Sequence, residues 1–212
     1  MKSQPVELLM IAGDDVTPAE AAWYSTAKEV TDARLRRVPA LLEGLARGDW
    51  PQHLPHSVPF EHTLLSFRVT SEIATHIHML KHRIGVSISS QSQRYMELRV
   101  DEYYVPADWP SNLQSVYNAH MVSAFDLYHR LIDDLEAAGI DRKRAKESAR
   151  FVLPYATQIR YRVTFNLLSF VHFQKLRNSE HAQDEIQLIA AEMLRLVKED
   201  GHFTNALAAW EL

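Results

Sequence analysis

Residues Lys81–Tyr95 read Lys-His-Arg-Ile-Gly-Val-Ser-Ile-Ser-Ser-Gln-Ser-Gln-Arg-Tyr. Three basic side chains precede an uncharged run rich in hydroxyl and amide groups, and a fourth cation then stands beside a phenol. Serines compete for backbone hydrogen bonds and Gly85 permits positive φ, so the segment is predicted to be a shaped loop rather than a regular element. The mixture is typical of an anion site next to polar groups that bind a flat ligand.

This segment resembles the signature of the flavin-dependent thymidylate synthases, in which an Arg-His-Arg triplet is followed by Ser-x-Asn-x-x-Ser-x-Arg-Tyr. The matching positions here are Lys81, His82, Arg83, Ser87, Ser89, Ser92, Arg94 and Tyr95. Lys81 replaces the first arginine, Ser89 replaces the asparagine, and the spacer before Ser87 is one residue longer than in the family. The fold implied by the resemblance is α+β, with a small mixed sheet and a helical lobe.

Two further blocks extend the resemblance. The run His56-Ser57-Val58-Pro59-Phe60-Glu61-His62 is similar to the family's His-x-Thr-Pro-Phe-Glu-His, with Val58 in place of threonine. The similar residues of the C-terminal half are Ala149, Arg150, Val152, Leu153, Pro154, Asn166, Leu176, Arg177, His181–Gln183 and Glu185–Gln187. The resemblance therefore covers roughly residues 56–187, in three blocks.

Composition limits the functions that the chain can have. With 212 residues, 46% of them hydrophobic, it can bury a full core, and we expect one domain over residues 1–212. A net charge of −4 and a pI near 6.3 argue against a general nucleic-acid or membrane-surface binder. The absence of cysteine excludes disulfides, thiolate metal sites and a cysteine nucleophile. The short Val6–Ala12 run contains Glu7 and lacks a basic leader, so we expect a cytoplasmic protein.

Residue periodicity predicts both strands and helices. Strands are predicted at Val6–Ala12, around Leu65–Val69 and at Met96–Val105. A helix is predicted to begin at a Thr17 cap, with Pro18 and Glu20 behind it, and to continue to about Gly48. The other predicted helices run from Ser71 to about Arg83, from Ser111 to Gly139, from Asp141 to Phe151, from Thr157 to Leu176, and onward from a Ser179 cap. Apolar stripes are expected in the first of these, at Ile73, Ile77 and Leu80, and in the last, at Ile186, Ile189, Met193 and Leu196.

The resemblance implies a set of nucleotide-binding residues. Carried over position by position, they are His78, Ser90, Gln91, Ser92, Gln93, Arg94, Arg150 and Arg177. Arg177 would polarise the uracil and Ser92 would line the reacting face, which makes these two the catalytic residues. The planar fork of arginine suits phosphate and uracil-type acceptors, and each charge-assisted hydrogen bond is worth about 1.5–3 kcal/mol. The alternative for any one arginine is a solvated surface ion pair.

A second set would bind the flavin. It comprises Ser25, His56, Glu61, Lys81, His82, Arg83, Ile84, Asn166 and His172. Leu168 and His172 stand where the family often has arginine and asparagine, so two alternatives follow: the flavin is bound more weakly, or other groups hold its phosphates. Two alternatives remain open, because Ser25 could be a small residue at a helix contact and His82 could be a structural histidine.

Other site chemistries have weaker support in the sequence. His78 and His82 have the i, i+4 spacing of a two-histidine metal pair, which Glu61 or His62 could complete. The usual glutamate between two such histidines is absent, so we expect no metal. Ser92 lacks the Gly-x-Ser-x-Gly surroundings of an acyl-transfer nucleophile.

The function implied by the resemblance is FAD-dependent methylation of C5 in a uracil nucleotide, with methylenetetrahydrofolate as one-carbon donor and NADPH as reductant. Ser89, Ser90 and Gln91 replace the family's Asn-Glu-aliphatic run, and this favours UMP with dUMP as a second substrate, as in nucleoside-antibiotic pathways. The alternatives are a thymidylate synthase acting on dUMP only and a non-catalytic nucleotide-binding module. Family members are homotetramers with shared active sites, so we expect a small-molecule substrate, no nucleic-acid or membrane partner, and a homotetramer.

Overall fold

The computed structural model describes residues 5–26, 29–48 and 54–212. The chain divides into two compact units. Unit 1 consists of Met1–Pro5, Thr70–Met79 and Ser89–Tyr161, and unit 2 consists of Val6–Val69, Leu80–Ile88 and Arg162–Leu212. The signature segment therefore divides between them, because its basic triplet belongs to unit 2 and its residues from Ser89 onward belong to unit 1.

Four strands form one sheet. They are β1 (Val6–Ala12), β2 (Leu64–Glu72), β3 (Val86–Ser90) and β4 (Gln158–Phe165), in the order β1-β2-β4-β3. β1 pairs antiparallel with β2, from Val6 opposite Val69 to Ala12 opposite Leu64. The predicted strand at Val6–Ala12 is thereby confirmed.

The sheet is antiparallel throughout, which corrects the expected mixed sheet. Beside β3 and β4, Asn166 N donates to Gly85 O and Gln91 N donates to Arg160 O, so the residue numbers of one strand rise as those of the other fall. The same holds beside β2 and β4, where the bonds run from Ile73 N to Thr157 O and from Ala74 N to Tyr155 O. Antiparallel neighbours need no crossover helix between them.

β4 shows that the predicted helix from Thr157 to Leu176 was wrong in its first half. Ile159, Tyr161, Val163 and Phe165 are buried, whereas the two arginines between them, Arg160 and Arg162, are exposed. This two-residue period, carried by β-branched and aromatic side chains, is that of a strand. The helix begins only after Asn166, whose side chain caps it by accepting a hydrogen bond from Ser169 N at 2.8 Å.

The helices are α1 (Val16–Trp23), α2 (Asp32–Leu35), α3 (Val38–Arg47), α4 (Ile73–Met79), α5 (Ser111–Ala137), α6 (Arg142–Ala149), α7 (Leu167–Arg177), α8 (Asp184–Asp200) and α9 (Thr204–Ala209), with 3-10 turns at Val58–His62 and Arg150–Val152. α5 and α6 confirm the helices predicted there. α9 was not predicted. No helix in the described ranges is both long and apolar enough to span a bilayer.

Two helix starts differ from the prediction, and the unpredicted helix α9 is capped by a residue that is distant in sequence. The Asp14 carboxylate accepts hydrogen bonds from the backbone N–H groups of Val16 and Thr17, which places Thr17 inside α1 rather than at its cap. α8 begins after Gln183 instead of Ser179. At α9, the carboxylate of Asp15 accepts hydrogen bonds from the backbone N–H groups of Asn205 and Ala206, both at 2.8 Å. Residues 27–28 of the helix predicted after Thr17 lie outside the described ranges.

α4 is shorter than predicted and turns a different face inward. β2 continues through Ser71 to Glu72, whose carboxylate then accepts a hydrogen bond from Thr75 N at 3.2 Å and caps the helix. The helix ends at Met79 rather than Arg83. Its buried residues are Thr75, His76 and Met79, in place of the predicted stripe of Ile73, Ile77 and Leu80.

Two predictions around the serine-rich segment were also wrong. Val86–Ser90 forms β3 instead of a loop, because it pairs with the edge that β4 provides. Met96–Val105 forms no strand apart from an isolated bridge between Tyr103 and Thr157. Leu98 from this stretch packs into the core of unit 1 instead. The other buried residues of that core are Met121, Phe125, Tyr128 and Ile132 of α5 and Ala145 and Ala149 of α6.

The core of unit 2 fixes α7 against the sheet. Phe67 of β2 stacks on Phe170 with ring centroids 5.8 Å apart, and Phe165 of β4 lies 5.2 Å from Phe173. These fully buried rings set the position and rotation of α7, and with it the direction of the polar residues on its remaining face.

Candidate active site

Unit 2 contains a cavity of about 880 Å³. Its lining residues are Glu61, Lys81, His82, Arg83, Ile84, Val86, Asn166, Leu168, Ser169, His172, Leu176 and Arg177. They come from the first 3-10 turn, from the segment between α4 and β3, and from α7 with its cap. All the predicted flavin residues except Ser25 and His56 are brought together here, and they are joined by Arg177, which the resemblance assigns to the nucleotide.

Gly85 holds the basic segment against the start of α7. Its φ is +66°, and a Cβ built on it would lie 2.6 Å from Nδ2 of Asn166, so no larger residue fits. The carbonyl oxygen of Gly85 accepts two hydrogen bonds, from Asn166 N at 3.1 Å and from the Ser169 hydroxyl at 2.8 Å. Lys81–Arg83 and the amide of Asn166 are thus held at one wall of the cavity.

His82 and Arg177 form a hydrogen-bonded pair inside the cavity. Arg177 Nε donates to His82 Nε2 at 3.1 Å. His82 is 8% exposed, and its ring lies edge-on to Phe173 with centroids 5.1 Å apart. Burial, together with the nearby Arg177 and His172, lowers the pKa of His82 to about 4. The imidazole is therefore neutral near pH 7.

Lys81 and Arg83 supply positive charge that no other described side chain pairs with. Both are exposed, and within the described residues neither makes an ion pair or a side-chain hydrogen bond. Ile84 next to them is 92% exposed, and Val86, Leu168 and Leu176 add apolar surface. The cavity therefore combines free cations for an anionic group with apolar walls for a ring system.

In unit 1, hydrogen bonds fix the second half of the signature. Ser90 Oγ lies 2.8 Å from Nε2 of the buried His76. Gln91 bonds twice to Arg160, through its backbone N–H at 2.7 Å and through its side-chain oxygen at 3.3 Å. The Ser92 hydroxyl accepts a hydrogen bond from Arg94 N at 3.3 Å and closes a turn. The segment after β3 is therefore an ordered loop, as the serines indicated.

Arg94 is bound to a carboxylate that the sequence reasoning missed. Its Nε donates to Glu147 Oε1 at 2.5 Å, and its guanidinium lies 5.7 Å from the ring centre of Tyr95. The hydrogen bond from Arg94 lowers the pKa of Glu147. The sequence held one indication that Glu147 binds a cation. It is the single acid in the basic run Arg142–Arg150, and it precedes Arg150 by one helical turn.

The remaining predicted residues of unit 1 are less constrained. Arg150 is half-buried and begins the second 3-10 turn, and Gln93 is half-buried in the ordered loop. His78 on α4 is half-buried, and its Nδ1 is buried without a hydrogen-bond partner among the described residues.

Ser25 and His56 do not line the cavity of this chain. Ser25 is exposed just after α1, and its hydroxyl donates to Ala22 O at 3.1 Å. His56 is exposed, and its backbone N–H donates to Leu45 O at 2.9 Å. Nor is any group of three or more histidine and carboxylate side chains arranged to hold a metal ion in residues 5–26, 29–48 and 54–212.

Comparison with known proteins identifies the family. Residues 8–200 match the thymidylate synthase complementing protein family. The chain belongs to this family. The flavin-dependent thymidylate synthase of Geobacter sulfurreducens is 38% identical over 153 residues, which are 68% of this chain and 61% of that protein. The enzyme of the same name from Thermosipho melanesiensis is 29% identical over 92% of this chain and 85% of its own length.

Solved structures agree with this assignment. The crystal structure of a UMP/dUMP methylase, PolB, from Streptomyces cacaoi bound with 5-Br dUMP superposes with a TM-score of 0.76 and 25% identity, covering 99% of this chain and 95% of that one. Its structure with 5-Br UMP gives a TM-score of 0.74 and 26% identity, covering 100% and 95%. The α+β fold class and the family resemblance of the signature are confirmed.

Family membership makes the chain an enzyme of the uridylate C5-methyltransferase type. It implies FAD as the cofactor, with NADPH and methylenetetrahydrofolate as cosubstrates. The cavity of unit 2 fits FAD, because its volume lies within the roughly 300–1,000 Å³ of cofactor sites and its lining pairs unpartnered cations with apolar walls. Leu168 offers no side-chain hydrogen bond, and Lys81 and Arg83 are the two cations of this lining that have no partner among the described residues.

Proposed function

We propose that this protein methylates C5 of the uracil ring in UMP and also in dUMP, taking the carbon from methylenetetrahydrofolate. The observation that carries the proposal is the ordered run Ser89–Ser92 in unit 1, where short polar side chains replace the family's Asn-Glu-aliphatic sequence. The solved relatives bound with 5-Br UMP and 5-Br dUMP add support, since their fold matches that of this chain.

The nucleotide is bound by the arginines and the serine that the family resemblance assigns to it. Arg94 and Arg150 hold it, and Ser92 lines the face of the ring that reacts. Arg177 donates hydrogen bonds to the uracil oxygens and so stabilises negative charge that develops on them during the reaction. Tyr95, on which Arg94 rests, limits the movement of the guanidinium.

The flavin is bound by the cavity of unit 2. Lys81 and Arg83 would neutralise its phosphates, Asn166 would hydrogen-bond to it, and Ile84 and Leu168 would cover its ring system. Bound FAD, once reduced by NADPH, would supply the hydride that completes the methyl group. With no cysteine in the sequence, the chain has no thiol to attack the pyrimidine, so activation of the uracil falls on Arg177 and its neighbours.

Tolerance of a ribose 2′-OH follows from the side chains at positions 89–91. Ser90 is exposed and can donate to or accept from an additional hydroxyl while His76 holds its oxygen. A pocket that was not built to exclude a hydroxyl discriminates against it by about a hundredfold at most. Acceptance of both nucleotides is therefore expected, with UMP preferred.

The deciding experiment supplies UMP and dUMP separately to enzyme with FAD, NADPH and methylenetetrahydrofolate. We expect 5-methyl-UMP and 5-methyl-dUMP, with the higher kcat/KM for UMP. Methylation of dUMP alone would contradict the UMP activity and support the alternative of a thymidylate synthase that acts only on dUMP. A colourless protein whose addition leaves the visible spectrum of FAD unchanged would favour a non-catalytic nucleotide-binding module.

A homotetramer with active sites shared between subunits is part of the proposal. The predicted flavin residues Ser25 and His56 do not line the cavity within one chain, which is expected if they serve the site of a neighbouring subunit. Light scattering at micromolar concentration should give four times the 24.4 kDa chain mass. A monomeric mass would contradict shared sites.

A further inference from the structure

We propose that His82 is a positioning residue for Arg177, holding the guanidinium Nε so that the terminal amino groups are left to bind the uracil. The inference rests on the proposed function, in which Arg177 contacts the nucleotide. It assigns to His82 a role different from the flavin contact that the signature implies.

The direction of the hydrogen bond fixes the tautomer of His82. Arginine has donors only, so the contact of 3.1 Å between Arg177 Nε and His82 Nε2 requires an unprotonated Nε2. A neutral ring then carries its proton on Nδ1. Burial of the ring and the positive charge of Arg177 both oppose a second proton, in agreement with the lowered pKa of His82. The ring is therefore a stable acceptor at neutral pH.

Packing makes that acceptor rigid. The His82 ring is 8% exposed and lies edge-on to the fully buried ring of Phe173, one turn before Arg177 on α7. Arg177 is the last residue of α7 and is only half-buried, so its long side chain has few other restraints. Anchoring Nε removes rotamer freedom and leaves the two terminal amino groups, which carry four of the five N–H donors, for a planar ligand.

Chemistry also favours a histidine over an acid at this position. A carboxylate would bind Arg177 more strongly, but it would occupy the terminal amino groups and cancel their charge. A neutral imidazole with one acceptor atom takes one donor and leaves the positive charge in place. Arg177 thus keeps the field that polarising a uracil oxygen requires.

The experiment compares two substitutions at one position. His82→Phe keeps a ring against Phe173 but removes the acceptor, whereas His82→Gln places an amide oxygen near the position of Nε2. Dissociation constants for UMP and for FAD are measured on each, with thermal unfolding as a check on folding. We expect His82→Phe to weaken UMP binding on the order of tenfold, as for loss of one charge-assisted contact, and His82→Gln to recover most of it, while FAD affinity changes by less than about threefold.

His172→Phe is the matched contrast. Its ring centroid lies 6.0 Å from that of His82 on the same cavity wall, but it makes no hydrogen bond to Arg177 among the described residues. It should alter FAD affinity and leave UMP affinity within about threefold of the original. A double-mutant cycle adds a second test, because His82→Phe should have no further effect on UMP binding once Arg177→Ala is present.

Loss of FAD affinity in His82→Phe with unchanged UMP affinity would overturn the proposal and support the flavin contact. Nitrogen-15 NMR of the His82 ring tests it without any turnover, since an unprotonated Nε2 is expected in the unaltered protein and a mixture of tautomers in Arg177→Ala. A protonated Nε2 would also overturn it. Failure to methylate either nucleotide, with the tautomer as expected, would instead count against the proposed function alone.

Discussion

Both halves of the signature segment carry positive charge, yet the cations of one half are unpaired within the described residues and the cation of the other half is paired. Lys81 and Arg83 in unit 2 are exposed and make no ion pair within the described residues, whereas Arg94 in unit 1 is held by Glu147 at 2.5 Å. A free cation keeps its full attraction for an anion but must be ordered on binding. A paired one is ordered in advance but shares its charge. Cations of one motif can therefore differ in how they are held before a ligand binds: some are unpaired and fully charged, and others are ordered by a carboxylate.

The largest expected effect lies at Arg177, whose side chain is held by a neutral partner and so is both ordered and fully charged. Arg177→Ala should lower kcat/KM by about 100-fold or more, because charge-assisted hydrogen bonds to the reacting ring are lost. FAD should remain bound, as judged by its visible absorbance after gel filtration. Arg195→Ala is the control, since Arg195 pairs with Glu192 and Glu199 on α8. An Arg177→Ala protein that retains most turnover would remove the residue from the mechanism.

Gly85→Ala tests whether the free half depends on its clamp to α7. A Cβ at φ +66° is strained and would lie 2.6 Å from the Asn166 amide, so we expect the free energy of unfolding to fall by about 2 kcal/mol and FAD binding to weaken. Gly139→Ala is the matched control, because its φ is +86° and no atom lies within 4 Å of the added carbon. Denaturant unfolding of both proteins separates backbone strain from the clash. Equal losses would show that the Asn166 contact is unimportant.

Lys81→Ala should weaken FAD binding without affecting the fold. The lysine has no partner in the described residues, so the free energy of unfolding should change by less than about 0.5 kcal/mol. The dissociation constant of FAD should rise about tenfold through loss of one phosphate contact, and its salt dependence should decrease. Lys198→Ala, an exposed lysine of α8, should leave both unchanged. A stability loss at Lys81 equal to the binding loss would mean that the lysine is not free.

The smallest effect is expected at the paired half. Glu147→Gln removes the charge that holds Arg94. Because the Arg94 side chain is 45% exposed and that of Glu147 18% exposed, the pair is partly screened by solvent, and the free energy of unfolding should change by about 1 kcal/mol or less. KM for the nucleotide should rise by about threefold because Arg94 is no longer ordered in advance. A fall in KM would contradict this role of Glu147, since it would show that Glu147 competes with the nucleotide for Arg94.

The sequence was informative about the fold where a segment had strong capping or breaking residues. α5 and α6 lie close to their predicted bounds because Ser111, Gly139 and Asp141 mark their ends. It failed at β4, where two exposed arginines between apolar residues allowed a helical interpretation. The pairing of β4 with β2 and β3 decides its conformation, and those partners are distant in sequence.

The site shows the same limits. The family resemblance led to most of the cavity lining, because motif positions carry spatial information that single residues lack. It did not reveal that Arg177 lies with the flavin residues in unit 2, nor that Glu147 pairs with Arg94. Both facts depend on long-range packing. Leu176 and Ser169 also line the cavity, and nothing in their local sequence distinguishes them from ordinary helix residues.

The cap that Asp15 provides for α9 has a consequence for biosynthesis. The carboxylate accepts hydrogen bonds from the backbone N–H groups of Asn205 and Ala206, so Asp15 makes these contacts only after residues 190 and 191 positions further along have been translated. Most of unit 1 is one continuous stretch, Ser89–Tyr161, whose helices and core are available before then. On the ribosome, the part of the chain that holds Arg94 can therefore be assembled first. Unit 2, which holds Arg177, includes Arg162–Leu212 and is complete only after those residues have been made.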